Sequence, residues 1–255
     1  MAAIRREFGG HPVKASEYAP GIRMRVLIVQ NDETETLGLY ERYMLERGIR
    51  REVFHAYDMN MDEAFPSTSD YDAFIIGPTP ISANSVEQHG FLRKEWGFLG
   101  DVIESGKPCL GVCCGGQMLA RRLGAEVRRS PEKEVGGYEA RLTEAGKVDP
   151  LFAGFPQEFP VFHWHSDMFE VPPGGELLVE GDPCPIQAFG RGNVWGIIFH
   201  LEIDGSETGR WADAYPAELE AVGKTRAQVV RECREREPEM ERLAGLLMEN
   251  FLGSI

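Results

Sequence analysis

Residues 109–120 read CLGVCCGGQMLA, and the fold turns on how this segment is parsed. A short apolar run ends at two cysteines set between glycines, and a helix-forming stretch follows at once. Small residues on both sides let the backbone bend sharply, as it does where a strand passes straight into a helix. In Gly111-Val112-Cys113-Cys114-Gly115 the G-x-C-x-G form exposes the central side chain above a sheet. There it faces a helix N-terminus, whose partial positive charge favours a thiolate. Cys113 is thereby a candidate nucleophile, and the backbone N–H of Cys114 points to where an oxyanion would form.

Outward from this turn the same alternation repeats. MRVLIVQ (24–30) is a continuous apolar run rich in β-branched residues, which marks a strand covered on both faces. ETLGLYERYMLERG (35–48) has helical spacing, with Leu37, Tyr40, Met44 and Leu45 as its stripe and Gly48 as its stop. REVFHAY (51–57) and YDAFIIG (71–77) read as strands, FLRKEWGFLGDVIESG (91–106) as a helix and PCLGVC (108–113) as the strand of the turn. Alternating strands and helices imply parallel pairing through right-handed crossovers.

Beyond the helix that Cys114 opens, the pattern changes. AEVRRS, GYEARLT, FPVFHWH, ELLVEG, PIQAFG and VWGIIFH are strand-like segments separated mostly by Gly and Pro turns. They predict an antiparallel extension of the sheet. The last fifty residues return to helix, with Val229, Val230 and Cys233, then Leu243, Leu246, Leu247 and Phe251, as apolar stripes. The fold class is therefore α/β, a layered and mostly parallel sheet flanked by helices with an antiparallel extension. Residues 1–23, interrupted by Gly9, Gly10, Pro12, Pro20 and Gly21, read as a flexible arm, and residues 24–255 as one domain.

The chain has 255 residues, 42% of them hydrophobic, and a formal net charge of -14, which repels phosphate backbones and anionic lipid heads. Nucleic-acid and membrane partners are disfavoured. No run approaches the roughly 20 apolar residues of a membrane span, and the first residues lack the apolar region of a signal peptide, so a cytoplasmic protein is expected. Cys109, Cys113, Cys114, Cys184 and Cys233 are odd in number and lack a framework spacing, which suits reduced thiols.

A nucleophilic thiol needs a base. Of the six histidines, His200 in IIFHLEID stands out, because Glu202 follows two residues later and an extended chain projects both side chains from one face. The carboxylate can hold the imidazole in one tautomer and stabilise its cation. Cys113, His200 and Glu202 make a chemically complete triad. His163 and His165 in HWHSD share a strand face and suggest a zinc site with the vicinal cysteines, but a metal there would consume the nucleophile. Neither a metal nor a cofactor is expected.

With these motifs in hand, the sequence resembles the class I glutamine amidotransferases, in particular the stand-alone proteins similar to the glutaminase part of GMP synthetase. The resemblance rests on KPCLGVCCGGQMLA, GIIFHLE, FIIGPTPISA, HWHSDMFEVPPGGELL and PIQAFG in their combined order. It implies a flavodoxin-like sheet, Cys113 as nucleophile, His200 as general base and acid, and Glu202 as the orienting acid. It further implies that Gly77 and Cys114 donate N–H groups to the oxyanion, that Gln117 lies beside bound glutamine, and that His165, Ser166 and Asp167 stand near the substrate.

The implied partners are glutamine or a γ-glutamyl small molecule and a separate synthetase that accepts the ammonia; the sequence carries no indication of oligomeric state. A γ-glutamyl hydrolase or peptidase with the same triad, and a catalytically silent binding protein of the same fold, are the alternatives, the intact triad arguing against the latter. The chain departs from the family at Ile76, where the oxyanion loop carries glycine, at Ile198 and Leu201, and at Gly116, where relatives carry a histidine at the pocket edge.

Overall fold

The computed structural model describes residues 24–60 and 62–255, and the predicted arm at 1–23 lies outside them. Nine strands form one sheet in the order β2-β1-β3-β4-β9-β8-β7-β5-β6. The parallel half comprises β1 (Arg25–Gln30), β2 (Arg50–His55), β3 (Ala73–Ile76), β4 (Cys109–Val112) and β9 (Val194–Ile197), which pair parallel with one another in sheet order. The antiparallel half comprises β5 (Val127–Leu142), β6 (Glu158–Phe169), β7 (Glu176–Gly181) and β8 (Ala188–Arg191).

The continuous apolar strands serve two cores at once. Val26 and Ile28 of β1 face one core and Leu27 and Val29 the other, and β3 divides Ala73 and Ile75 from Phe74 and Ile76 in the same way. One core is closed by helix α1 (Gly38–Glu46), α4 (Gly205–Ala214) and α6 (Arg226–Gly253), through Tyr40, Met44, Trp211, Leu243, Leu247 and Phe251. The other is closed by α2 (Gly90–Glu104) and α3 (Cys114–Arg122), through Leu92, Leu99, Val102, Met118 and Leu119. The short α5 (Pro216–Ala221) bridges α4 and α6.

Three expectations are corrected. Leu45 does not join the buried stripe of α1 but is 56% exposed, because it sits about 100° around the helix from Met44. AEVRRS and GYEARLT are not two strands but parts of β5, which runs through Pro131 and Gly136-Gly137. The pairing with β6 shifts register between Arg129 and Glu134, which is where Pro131, lacking an N–H for the ladder, falls. The strand VWGIIFH stops at Ile197: beyond it Ile198 donates its N–H to Gln187 O (2.9 Å), and His200 forms an isolated bridge with Phe162 of β6.

Helix α6 begins with a capping box between Thr225 and Gln228. It continues through Pro238, which lies on the solvent side of the helix.

Candidate active site

Cys113 occupies the turn between β4 and α3. Among the described residues it is the one non-glycine residue at positive φ (50°), a strained backbone of the kind that positions a side chain for function. Packing holds the strain in place. A Cβ at Gly111 would come within 2.6 Å of the Gly115 and Gly116 backbone, and one at Gly115 would run into the Ile76 carbonyl. A Cβ at Gly116 would meet Ile197 O at 2.8 Å. Gly116 therefore faces the backbones of β4 and β9, so the missing side chain is not taken from a pocket edge but excluded by strand packing.

The register pairs Val112 with Ile197, and Cys113 donates its N–H to Ile197 O at 2.8 Å. His200 follows three residues later, so both side chains arise at the C-terminal ends of adjacent parallel strands, where open α/β sheets place their ligand sites. His200 Nδ1 donates to Glu202 Oε1 at 2.5 Å. Its ring meets Trp211 edge-on at 4.8 Å, its backbone exchanges two hydrogen bonds with Phe162, and its Nε2 has no hydrogen-bond partner among the described residues. Glu202 is buried, and its carbonyl accepts from Leu39 N at 2.7 Å, which ties the carboxylate's segment to α1.

The resting thiol is not the thiolate that the helix N-terminus alone predicts. Burial, followed by the charges of Glu35 and Glu202, holds the Cys113 pKa well above the ordinary thiol value, against the lowering effect of the Cys114 backbone N–H on its sulfur. That N–H is directed at the Cys113 sulfur. The Cys114 side chain is turned away, its Sγ bonded to Ile81 O at 3.1 Å.

The N–H of Gly77 is donated to Val29 O at 2.8 Å in this conformation. Ile76 ends β3 wholly buried in the core, so the loop that follows the strand starts only at Gly77.

Gln117 and Asp167 lie together, Gln117 Nε2 donating to Asp167 O at 3.1 Å. The Asp167 carboxylate accepts from Ser82 Oγ (2.7 Å) and pairs with Arg129 (3.2 Å). His165 is anchored to the same carbonyl through Nδ1 at 3.1 Å. Ser166 alternates to the opposite face of β6, shared with Trp164. His163 and His165 stand 4.8 Å apart, ring to ring, and with Glu134 and Cys184 instead of the vicinal cysteines.

Sequence reasoning did not find the carboxyls around this site. Glu35, just beyond β1, is pushed up to about 8 by burial first and then by Asp32. Tyr215 donates to Asp32 Oδ1 at 3.2 Å and lies against Glu35. Glu95 of α2 is also pushed up to about 8 by burial. Asn31 Nδ2 bonds both Glu95 Oε1 (2.9 Å) and Gly77 O (3.2 Å), so this buried pair braces the loop that carries Gly77. The available signal was a glutamate on the apolar stripe of α2, three residues after Leu92.

A thiol on a strained turn and an imidazole fixed by a carboxylate lie at the ends of adjacent strands of the α/β sheet, and comparison specifies the class of protein. The family model for class I glutamine amidotransferases matches residues 31–211, and the chain belongs to that family. A glutamine amidotransferase-like protein of Salmonella typhimurium, YfeJ, is 33% identical over 184 residues, covering 70% of this chain and 76% of that protein. The glutamine-hydrolysing GMP synthase of Thermosipho africanus is 30% identical over 184 residues, covering 71% of this chain and 33% of the synthase. The match thus spans about a third of the synthase's length. The crystal structure of a glutamine amidotransferase from Thermotoga maritima superposes with a TM-score of 0.81 at 26% identity, covering 91% of this chain and 99% of that one. Among the described residues no helix is long and apolar enough to cross a membrane.

Proposed function

We propose that the protein hydrolyses the side-chain amide of glutamine through Cys113, His200 and Glu202. The observation that carries this reading is the His200–Glu202 hydrogen bond at 2.5 Å, set just beyond the end of the strand that neighbours the one leading into the strained Cys113. With Nδ1–H held by the carboxylate, Nε2 is the free basic nitrogen.

Because burial keeps the thiol protonated, its proton passes to His200 Nε2 as the sulfur bonds to the carboxamide carbon. The Cys114 N–H bears on the developing oxyanion, and Gly77 adds a second donor only by releasing Val29. Collapse breaks the C–N bond, and His200 returns its proton to the leaving ammonia. Water then attacks the γ-glutamyl thioester, again giving its proton to Nε2, and glutamate departs as the thiol is restored. Gln117 and Asp167, with His165 and Ser166 near them, border the donor in this reading.

In this reading the ammonia passes to a synthetase partner, glutamine-hydrolysing GMP synthases being among the relatives. All five cysteines are free, which fits a reducing compartment such as the cytoplasm.

The test is product release from L-glutamine and from a panel of γ-glutamyl conjugates, with the trapped acyl-enzyme located by mass spectrometry. A γ-glutamyl adduct on Cys113, with glutamine the preferred donor, supports the reading. Preference for conjugates makes the protein a γ-glutamyl hydrolase, and turnover that survives Cys113→Ala removes the triad altogether.

A further inference from the structure

A second Cys-His-Glu group lies apart from the proposed triad, sharing no residue with it. Glu134 and His165 face each other directly in the register of β5 and β6, immediately after the bulge at Pro131. Cys184 reaches them from the segment between β7 and β8. One ligand atom from each of the three lies within 4.8 Å of the others, and all three residues are buried.

Their hydrogen bonding sets acceptor against acceptor. A ring nitrogen facing a carbonyl oxygen must carry the proton, so the contact of His165 Nδ1 with Asp167 O leaves Nε2 as a lone pair. Nε2 lies 3.2 Å from Glu134 Oε2, yet it is not aligned for a hydrogen bond. Among the described residues neither Glu134 oxygen has a hydrogen-bond partner, although Glu134 is 0% exposed. A buried carboxylate without donors is strongly disfavoured unless a cation neutralises it.

We propose that Glu134, His165 and Cys184 bind a divalent transition-metal ion of the zinc class. Nitrogen, carboxylate oxygen and sulfur are the donor set that Zn²⁺ accepts, and an imidazole whose other nitrogen donates to a backbone carbonyl is the usual preparation of a metal-ligating histidine. On binding, Cys184 loses its proton to solvent and ligates as the thiolate. His163, whose Nε2 is 4.0 Å from Glu134 Oε1, is the nearest further donor. Since Asp167 O also accepts from Gln117, the ion would fix this part of β6 against α3.

The experiment uses the full chain stripped with chelator and titrated with Co²⁺ and Zn²⁺, in wild type, Cys113→Ala, Cys184→Ser and Glu134→Gln, with circular dichroism as a check on folding. About one ion per chain is expected in wild type and Cys113→Ala, with a thiolate-to-cobalt charge-transfer band. Cys184→Ser removes that band, and Glu134→Gln weakens affinity about tenfold or more. X-ray absorption of the wild-type zinc form needs no variant and should show one sulfur with nitrogen and oxygen neighbours. No binding to wild type, a zinc shell without sulfur, or a band that survives Cys184→Ser or vanishes in Cys113→Ala overturns the proposal. In the first case Glu134 and His165 are a proton-bridged pair.

Discussion

Cys113, His200 and Glu202 on one side, and Cys184, His165 and Glu134 on the other, are the same three residue types wired in opposite ways. In the first group the imidazole is tied to its carboxylate through Nδ1, at 2.5 Å, and Nε2 is left without a partner. In the second the imidazole is tied to a backbone carbonyl through Nδ1, and it is Nε2 that meets the carboxylate. In the proposed reading the first wiring leaves Nε2 to act as base to the thiol, and the second sets three donor atoms around one ion. Residue type names a chemistry, and the anchored ring nitrogen decides which chemistry it is.

The comparison breaks most readily at the sulfurs. Cys113→Ala should abolish glutamine turnover, by about 10⁴-fold or more, since removing a nucleophile disables the whole constellation. The same variant should keep its metal. A Cys113→Ala protein with substantial turnover would mean that the strained turn is structural. Next is the tautomer: Glu202→Gln keeps the shape but can no longer stabilise the His200 cation, so kcat should fall about 10³-fold with KM little changed. A fall confined to KM would make Glu202 a binding residue. Smaller again is the steric support of the elbow. Gly116→Ala sets a Cβ at 2.8 Å from Ile197 O, which should cost about 1–3 kcal/mol and lower Tm measurably. An unchanged Tm would show that β4, α3 and β9 can separate without penalty.

The His200–Glu202 pair was legible in the sequence because it is local: Glu202 comes two positions after His200, and the elbow announces itself through Gly111 and Gly115. The parallel half of the sheet was legible because a strand buried on both faces, such as β1, is apolar at every inner position. The second group was not, because Glu134, His165 and Cys184 are brought together only by the β5–β6 register and the return from β7. A bulge at Pro131 sets that register, and the same proline made one strand look like two. Gly116 misled for a related reason: its neighbours are backbone atoms of β9, far along the chain.

The buried acids give the finest test, since they distinguish support of the loop from chemistry at the thiol. The Glu95 carboxyl has a usual value of 4.5 and is pushed up to about 8 by burial, against the lowering effect of Asn31. Between those values the folded protein holds a proton that the unfolded chain has released, so stability falls as pH rises through the window and is insensitive to this group below it. The slope from one such group is at most about 1.4 kcal/mol per pH unit. Glu95→Gln removes the titration while leaving an amide to meet Asn31, so its unfolding free energy should decline less steeply from pH 5 to pH 8 than that of wild type. Glu35 is pushed up in the same way, but it stands among the charges that act on Cys113. Glu35→Gln should therefore alter the pH profile of turnover as well as that of stability, whereas Glu95→Gln should alter chiefly stability. Identical stability slopes for Glu95→Gln and wild type would mean that Glu95 is ionised in the folded protein. Asn31 and Gly77 would then be braced by a charge instead of a neutral carboxyl.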